Sequence, residues 1–114
     1  MALGWLTKRP VEESVVRAWV RPFLSDRAVR RDTGKVLRGI SSRFTLTAAQ
    51  KLSHFDRPTL MAWAAKDRFF PVRHAERLAE LMPDARLELI EDSYTFVPED
   101  QPAALAGMIA DFLH

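Results

Sequence analysis

The side chains that commonly carry catalytic chemistry are few in this sequence and lie far apart. The 114 residues contain no cysteine, and their histidines are His54, His74 and His114. The lack of cysteine excludes disulfides, thiol nucleophiles and thiolate metal sites, and it fits a reducing cytoplasm, which is the location we predict. Asp67 is of interest because it lies in a polar corner directly after a continuous apolar run. Taken alone, it has the pattern of a turn aspartate, or of a cap for a helix that starts near Pro71.

No motif for binding a metal, a phosphate or a cofactor is present. The acidic pairs Glu91-Asp92 and Glu99-Asp100 lack metal-ligand spacing with a histidine and are typical of a solvated loop surface. The four glycines are scattered, so they form no phosphate-binding loop. Ser41-Ser42 follow Gly39 without a preceding strand or a second glycine, which argues against a nucleophile turn. We therefore predict no cofactor and no metal.

The second half of the chain predicts alternating strands and helices. A continuous apolar run over residues 59–65 predicts a strand buried on both faces of a parallel sheet. The alternation over residues 86–90 predicts a second strand nearer the sheet edge, after a helix that Pro71 opens. A loop over residues 91–99 then leads to Asp100, which we expect to cap the last helix. A strand–helix–strand unit of this kind has a right-handed crossover and two parallel strands.

The first half has apolar residues at helical spacing and predicts three short helices. The first opens at Pro10, and Pro22 limits how far it can run. The second covers about residues 27–40, although Gly34 weakens it. The third follows Thr45.

The composition changes near residues 54–58, so we divide the chain into a helical segment, 1–54, and a strand-containing part, 55–114. Two parallel strands are too few for a stable sheet in water. The first strand would also leave an apolar edge with unpaired backbone groups. Either the rest of the sheet has been removed or another chain supplies it, and we expect a partner chain or self-association in the second case.

The formal charge is divided unevenly along the chain. Residues 1–57 carry twelve Lys and Arg against five Asp and Glu, a net of +7, whereas residues 58–114 carry five against ten, a net of −5. A basic half can indicate a nucleic-acid or anionic-membrane partner. The pattern fits better two halves that attract each other, or helices with arginine-rich solvent faces, so nucleic acid is not the expected partner. No apolar run approaches the roughly 20 residues that span a bilayer, and the first ten residues lack the charge order of a signal peptide.

The second half also resembles a known family over about residues 55–113. The residues that carry the resemblance are Phe55-Asp56-Arg57-Pro58-Thr59-Leu60-Met61-Ala62-Trp63, Asp67, Phe70-Pro71, Ala75-Glu76-Arg77-Leu78-Ala79, Leu81-Met82-Pro83-Asp84-Ala85-Arg86-Leu87, Ile90-Glu91-Asp92-Ser93 and Phe96-Val97-Pro98-Glu99-Asp100-Gln101-Pro102. In order and spacing they resemble the last two strand–helix units of α/β-hydrolase-fold enzymes. The resemblance implies an α/β class and a partial α/β-hydrolase fold, in which a helical lid segment precedes a β-α-β-α core. It also implies that Asp67 stands at the acid position of the catalytic triad, where a carboxylate orients the histidine and stabilises its protonated form.

The same resemblance puts Thr95 where the family has its catalytic histidine. A threonine hydroxyl cannot accept and return a proton near neutral pH as imidazole does. His74 is expected on the surface of a helix and His54 in a solvent-facing loop, so neither is expected to replace the missing base. Since the nucleophile turn is absent as well, the catalytic triad is incomplete.

We therefore expect the C-terminal part of a hydrolase of ester or related small-molecule bonds, inactive by itself. A small-molecule substrate is expected only if upstream sequence completes the site. The alternative is a non-catalytic remnant or interaction protein that binds a partner through the basic helical half.

Overall fold

The computed structural model describes residues 2–114, with side chains from residue 4 onward. The chain divides into two compact units: Val11–Gln50, and Met1–Pro10 together with Lys51–His114. A short 3-10 helix covers Ala2–Trp5. The other elements are α1 (Glu13–Ser25), α2 (Arg27–Gly39), α3 (Ser42–Leu52), β1 (Thr59–Ala64), α4 (Val72–Leu81), β2 (Ala85–Ile90), α5 (Val97–Asp100) and α6 (Pro102–Leu113).

The unit Val11–Gln50 is helical, as its sequence pattern predicts. The first helix begins later than expected, at Glu13 rather than at Pro10, because the residue before it keeps an extended backbone (φ −57°, ψ 137°). It also continues past Pro22 to Ser25, so the missing N–H of Pro22 is tolerated near the helix end. The third helix starts at Ser42, earlier than expected.

The junction between α1 and α2 is held by side chains that satisfy both helix ends. Asp26 caps α2, since its Oδ1 accepts a hydrogen bond of 2.7 Å from the backbone N–H of Ala28. The guanidinium of Arg30 donates to the carbonyls of Phe23 and Leu24 at 3.0 and 2.8 Å. These carbonyls belong to the last turn of α1 and have no partner within that helix. The predicted second helix is confirmed and ends at Gly39.

The unit that contains Lys51–His114 is built on a parallel pair of strands. β1 and β2 pair in register from Thr59 opposite Ala85 to Ala64 opposite Ile90. The connecting helix α4 packs against both strands, so the predicted strand–helix–strand unit is confirmed. Its consequence for the site is direct: both strands end at the same edge of the sheet.

Burial of β1 differs from the prediction. Ala64 is buried, but the other five residues of the strand are only half-buried. Two-sided burial needs neighbours on both sides of the strand and cover on both faces. Among residues 2–114, β2 is the one strand that pairs with β1, and this explains the difference.

The core of this unit lies under the carboxyl ends of the strands. Ala64, Ile90 and Val97 form a buried cluster, against which Ala62, Leu105 and Met108 pack. The cluster joins both strand ends to α5 and α6, so the loops above it start from fixed positions. No helix in the described part of the chain has the length and apolar character needed to cross a bilayer.

The segment after β2 also corrects a prediction. The expected loop over residues 91–99 contains the short helix α5, and Asp100 ends that helix instead of capping α6. Gln101 precedes α6 and makes no side-chain capping hydrogen bond. The carboxylate of Asp100 is engaged elsewhere, as described below.

Candidate functional site

Asp67 lies in a tight turn just beyond β1. Its backbone N–H donates to the carbonyl of Ala64 at 3.2 Å. Its Oδ1 accepts hydrogen bonds of 2.8 Å from the backbone N–H groups of Phe69 and Phe70. These bonds fix the half-buried carboxylate at the carboxyl end of the strand, in the arrangement of an aspartate that closes a turn by bonding its own following backbone.

Thr95 reaches Asp67 from the loop that follows β2. The Thr95 Oγ1 donates to Asp67 Oδ1 at 2.7 Å across 28 residues of sequence. The two residues meet because Ala64 and Ile90, the last residues of the parallel strands, are paired in register. The structure therefore brings together the two residues that the resemblance singled out.

The loop between β2 and Thr95 has a defined shape. Asp92 adopts a left-handed backbone (φ 57°), which a short polar side chain tolerates better than most. Ser93 is fully buried and its hydroxyl donates to the carbonyl of Ile90 at 2.8 Å. A sharp, internally bonded turn thus directs the chain back over the end of β1.

A second pair of side chains joins the same two loops. The guanidinium of Arg68 lies over the ring of Tyr94, with 4.1 Å from Cζ to the ring centroid. Its Nη2 also donates to the Tyr94 hydroxyl at 2.5 Å. Trp63 adds support from β1, because its indole N–H donates to the carbonyl of Phe70 at 2.8 Å. The turn at Asp67 is therefore supported both by β1 and by the loop that follows β2.

Asp100 is a buried carboxylate close to this loop that the sequence did not identify as part of the site. It has no exposed surface, and it accepts hydrogen bonds from the backbone N–H groups of Lys8, Arg9 and Tyr94. Burial by itself would raise the pKa of Asp100, but the three backbone hydrogen bonds and the charge of Arg9 outweigh burial, so its pKa is lowered. The carboxylate is consequently ionised at neutral pH.

The remaining candidates stay apart from Asp67. His54 and His74 are exposed, as predicted, and the hydrogen bonds that Asp67 makes within residues 2–114 involve no histidine. Ser41 lies between α2 and α3 and accepts a hydrogen bond from the backbone N–H of Arg43 at 3.3 Å, which is the role of a helix-start residue. No cluster of three or more His, Asp and Glu with the geometry of a metal site occurs in the described part of the chain.

This arrangement has limited chemistry. The Asp67 carboxylate is placed to accept a hydrogen bond from a group on the loop after β2, which is what the acid of a catalytic triad does for a histidine. The group it meets is the hydroxyl of Thr95. A hydroxyl can donate that hydrogen bond, but it supplies no base near neutral pH.

Two curated proteins are similar to this chain in sequence. It is 26% identical over 106 residues to the uncharacterised hydrolase YugF of Bacillus subtilis, an alignment that covers 93% of this chain and 37% of that protein. It is 36% identical over 56 residues to an uncharacterised protein of Mycobacterium tuberculosis, covering 49% of this chain and 16% of that protein. The chain thus spans little more than a third of the Bacillus hydrolase that it matches over most of its length.

Solved structures show the same fold. A serine hydrolase involved in carbazole degradation superposes on 98% of this chain and 44% of its own, with a TM-score of 0.84 and 17% identity. A CIB-like hydrolase of Thermoplasma acidophilum matches 59% of this chain and 32% of its own, with a TM-score of 0.56 and 25% identity. The sequence model of the alpha/beta hydrolase fold matches residues 1–102. With that match over most of its length, and with two strands that pair in parallel, the chain belongs to the α/β-hydrolase fold family.

Proposed function

We propose that this chain provides two parts of an α/β-fold hydrolase that acts on ester or related small-molecule bonds: the turn that carries the triad acid, Asp67, and a lid-like helical segment, residues 1–54. We also propose that it hydrolyses no such bond by itself. The observation that carries this proposal is the 2.7 Å hydrogen bond between Thr95 and Asp67 at the shared edge of the strands. This hydrogen bond supports the assignment of Asp67 as the triad acid. It also supports the lack of a base beside it, because a threonine occupies the position at which a catalytic imidazole is needed.

The exposed surface of the strand unit supports the first part of the proposal. Leu89 and Ile109 are each 44% exposed and Phe55 is 46% exposed. Single exposed apolar side chains are common on protein surfaces, so they support the proposal only in combination with the open edge of a strand. Together with the unpaired side of β1 in the described chain, they favour additional strands, supplied by further sequence or by a partner chain, that would also carry the nucleophile.

A hydrolysis assay tests the second part directly. We expect the purified chain to cleave p-nitrophenyl butyrate no faster than its Asp67→Asn variant at neutral pH. Asp111→Asn is a matched control, because Asp111 is exposed on α6 and makes no hydrogen bond or ion pair within residues 2–114. Turnover that Asp67→Asn abolishes and Asp111→Asn leaves intact would show that the chain is an esterase in its own right and would overturn the proposal.

Sheet completion is tested by sedimentation velocity. A chain that completes its sheet with a second copy is expected to shift from monomer to dimer as concentration rises, because β1 presents its unpaired edge to any available strand. A charge placed on that strand by Met61→Lys is expected to weaken the association. A monomer at all concentrations would remove self-association and leave further sequence or a different chain as the source of the missing strands.

A second candidate function is non-catalytic binding of an acidic partner through the helical unit. One observation favours it: the exposed residues Arg27, Arg30 and Arg31 lie close together on α2, beside an open surface depression that they line with Ala28. Such binding is expected to weaken steeply with salt. We expect the chain to be retained on heparin at low ionic strength and the double variant Arg27→Gln, Arg31→Gln to lose that retention. Equal elution of the two proteins would count against this function. Arg30 is left unchanged in this test because it satisfies the end of α1.

A further inference from the structure

A short segment near the start of the chain binds the loop that carries Thr95. We call residues 6–9 the strap. The carbonyl of Leu6 accepts a hydrogen bond of 2.8 Å from the backbone N–H of Phe96. Two residues on, the backbone N–H groups of Lys8 and Arg9 point at Asp100, which is more than ninety residues away in sequence. The strap is therefore hydrogen-bonded, through its backbone, to the segment that follows Thr95.

One carboxylate makes most of this attachment. Lys8 N–H lies 2.9 Å from Asp100 Oδ1 and 2.8 Å from Oδ2, and Arg9 N–H lies 2.9 Å from Oδ1. The backbone N–H of Tyr94, in the loop after β2 that carries Thr95, donates to Oδ2 at 2.8 Å. Both carboxylate oxygens are therefore used, by the strap and by the loop at the same time. Backbone donors bonded to a buried carboxylate form stronger bonds than those bonded to a neutral acceptor.

The outer face of the strap carries a second, exposed set of contacts. The side chains of Lys8 and Arg9 both pair with the carboxylate of Asp92, which is about half exposed. Exposed ion pairs contribute little to stability, so we assign most of the attachment to the buried carboxylate of Asp100. Within the described residues, the charged and titratable residues that bond to Asp100 are Lys8 and Arg9 from the strap and Tyr94 from the loop after β2.

We propose that Asp100 is a positioning residue that latches the strap onto the loop carrying Tyr94 and Thr95, so that the strap and this loop hold each other in place. The latch therefore joins the strap and the loop that carries the group facing Asp67 through the buried carboxylate of Asp100. This role does not depend on the proposed hydrolase function, because it concerns which segments are ordered together and not what they catalyse.

Amide hydrogen exchange of the Asp100→Asn variant tests the latch. Asparagine has nearly the same shape, but it loses the charge and turns an NH2 group toward at least one of the three donors. We expect the protection of the Lys8, Arg9 and Tyr94 amides to fall by about tenfold or more, corresponding to about 1.4 kcal/mol for lost charge-assisted bonds. The Ala65 amide, which donates to the carbonyl of Ile90 at 3.0 Å, is expected to stay within about twofold.

Glu99→Gln provides the matched control, because Glu99 is adjacent, exposed and acidic, and its side chain makes no hydrogen bond within residues 2–114. It is expected to leave all four amides unchanged. Protection retained at Lys8 and Arg9 in Asp100→Asn would overturn the proposal. An equal loss at Ala65 would overturn it as well, because Asp100 would then support the whole unit and not a local latch.

A titration of the unaltered protein keeps the proposal testable should the Asp100→Asn variant fail to fold. Amide protons bonded to one carboxylate are expected to shift with the same midpoint when that carboxylate takes up a proton. We therefore expect the Lys8, Arg9 and Tyr94 amide resonances to move together in acid. Tyr94 is the single tyrosine of the chain, so a fluorotyrosine label gives one resonance, which is expected to move at that midpoint. Separate midpoints for strap and loop would contradict a shared latch.

Discussion

The hydrogen bonds that Asp67 accepts allow a quantitative prediction of the free energy of unfolding. Asp67→Ala removes the acceptor of three hydrogen bonds, from Phe69, Phe70 and Thr95. Each bond to a carboxylate contributes about 1 to 1.5 kcal/mol at a half-buried site where water can replace part of it. With three such bonds lost, the free energy of unfolding is expected to fall by about 3–4.5 kcal/mol. Asp111→Ala, at an exposed position on α6, is expected to change it by less than about 0.5 kcal/mol.

The contribution of the Thr95 hydroxyl is isolated by a double-mutant cycle. Thr95→Val keeps the shape of the side chain and removes the hydroxyl, so it is expected to lower the free energy of unfolding by about 1 kcal/mol. In the presence of Asp67→Ala the same substitution is expected to have little further effect, which gives a coupling energy of about 0.5–1.5 kcal/mol. Urea denaturation followed by far-ultraviolet circular dichroism measures all four proteins. A coupling energy under about 0.3 kcal/mol would refute the idea that these two side chains form one unit.

Three further predictions concern stability elsewhere in the chain. Because the pKa of Asp100 is lowered in the folded state, the stabilisation by its ionised carboxylate is complete above the pKa of the same group in the unfolded chain, about 3.9. It is lost as pH falls through the lower folded value, so urea denaturation is expected to show this loss below about pH 4 and Asp100→Asn to remove it. Ile90→Ala, in the buried cluster, is expected to lower the free energy of unfolding by about 2–4 kcal/mol, whereas Leu89→Ala, 44% exposed, is expected to lower it by less than half as much; similar values for both would contradict the position of the core. Gly34→Ala, whose added Cβ meets only the flexible end of Arg38 at 3.4 Å, is expected to stabilise α2 by about 0.5–1 kcal/mol, and thermal melting that shows destabilisation would argue against a regular helix there.

The part of the site that was predictable from the sequence is the part encoded locally. The apolar run before Asp67 and the alternation before Ile90 predict two strands, and both occur with shifts of one residue at their ends. Parallel pairing follows from the helix between them, and it brings the loops after both strands to one edge. The contact between Thr95 and Asp67 could therefore be predicted from the sequence once the resemblance had marked both positions.

The part that was not predictable depends on contacts remote in sequence. Asp100 precedes a proline in the pattern of a helix cap, and nothing near it indicates that its partners are backbone amides of residues 8 and 9. Backbone donors leave no signature in the side-chain sequence. The prediction that β1 is buried on both faces was wrong for a related reason. An apolar run shows that a strand is suited to burial, but the extent of burial depends on neighbouring strands and on cover from other elements.

The pKa of an imidazole introduced by Thr95→His is a direct test of the roles assigned to Asp67 and residue 95. A charged imidazole about 4 Å from the Asp67 carboxylate gains about 1–4 kcal/mol at effective dielectric constants between water and a protein surface. The site is half-buried, so we take the lower part of that range, which raises the pKa by about one unit. Proton NMR of the histidine ring follows it, with His54, His74 and His114 as internal references. We predict a pKa about one unit higher in Thr95→His than in the same variant that also carries Asp67→Asn. Equal pKa values in the two proteins would contradict the claim that Asp67 and residue 95 occupy the acid and histidine positions of a hydrolase triad.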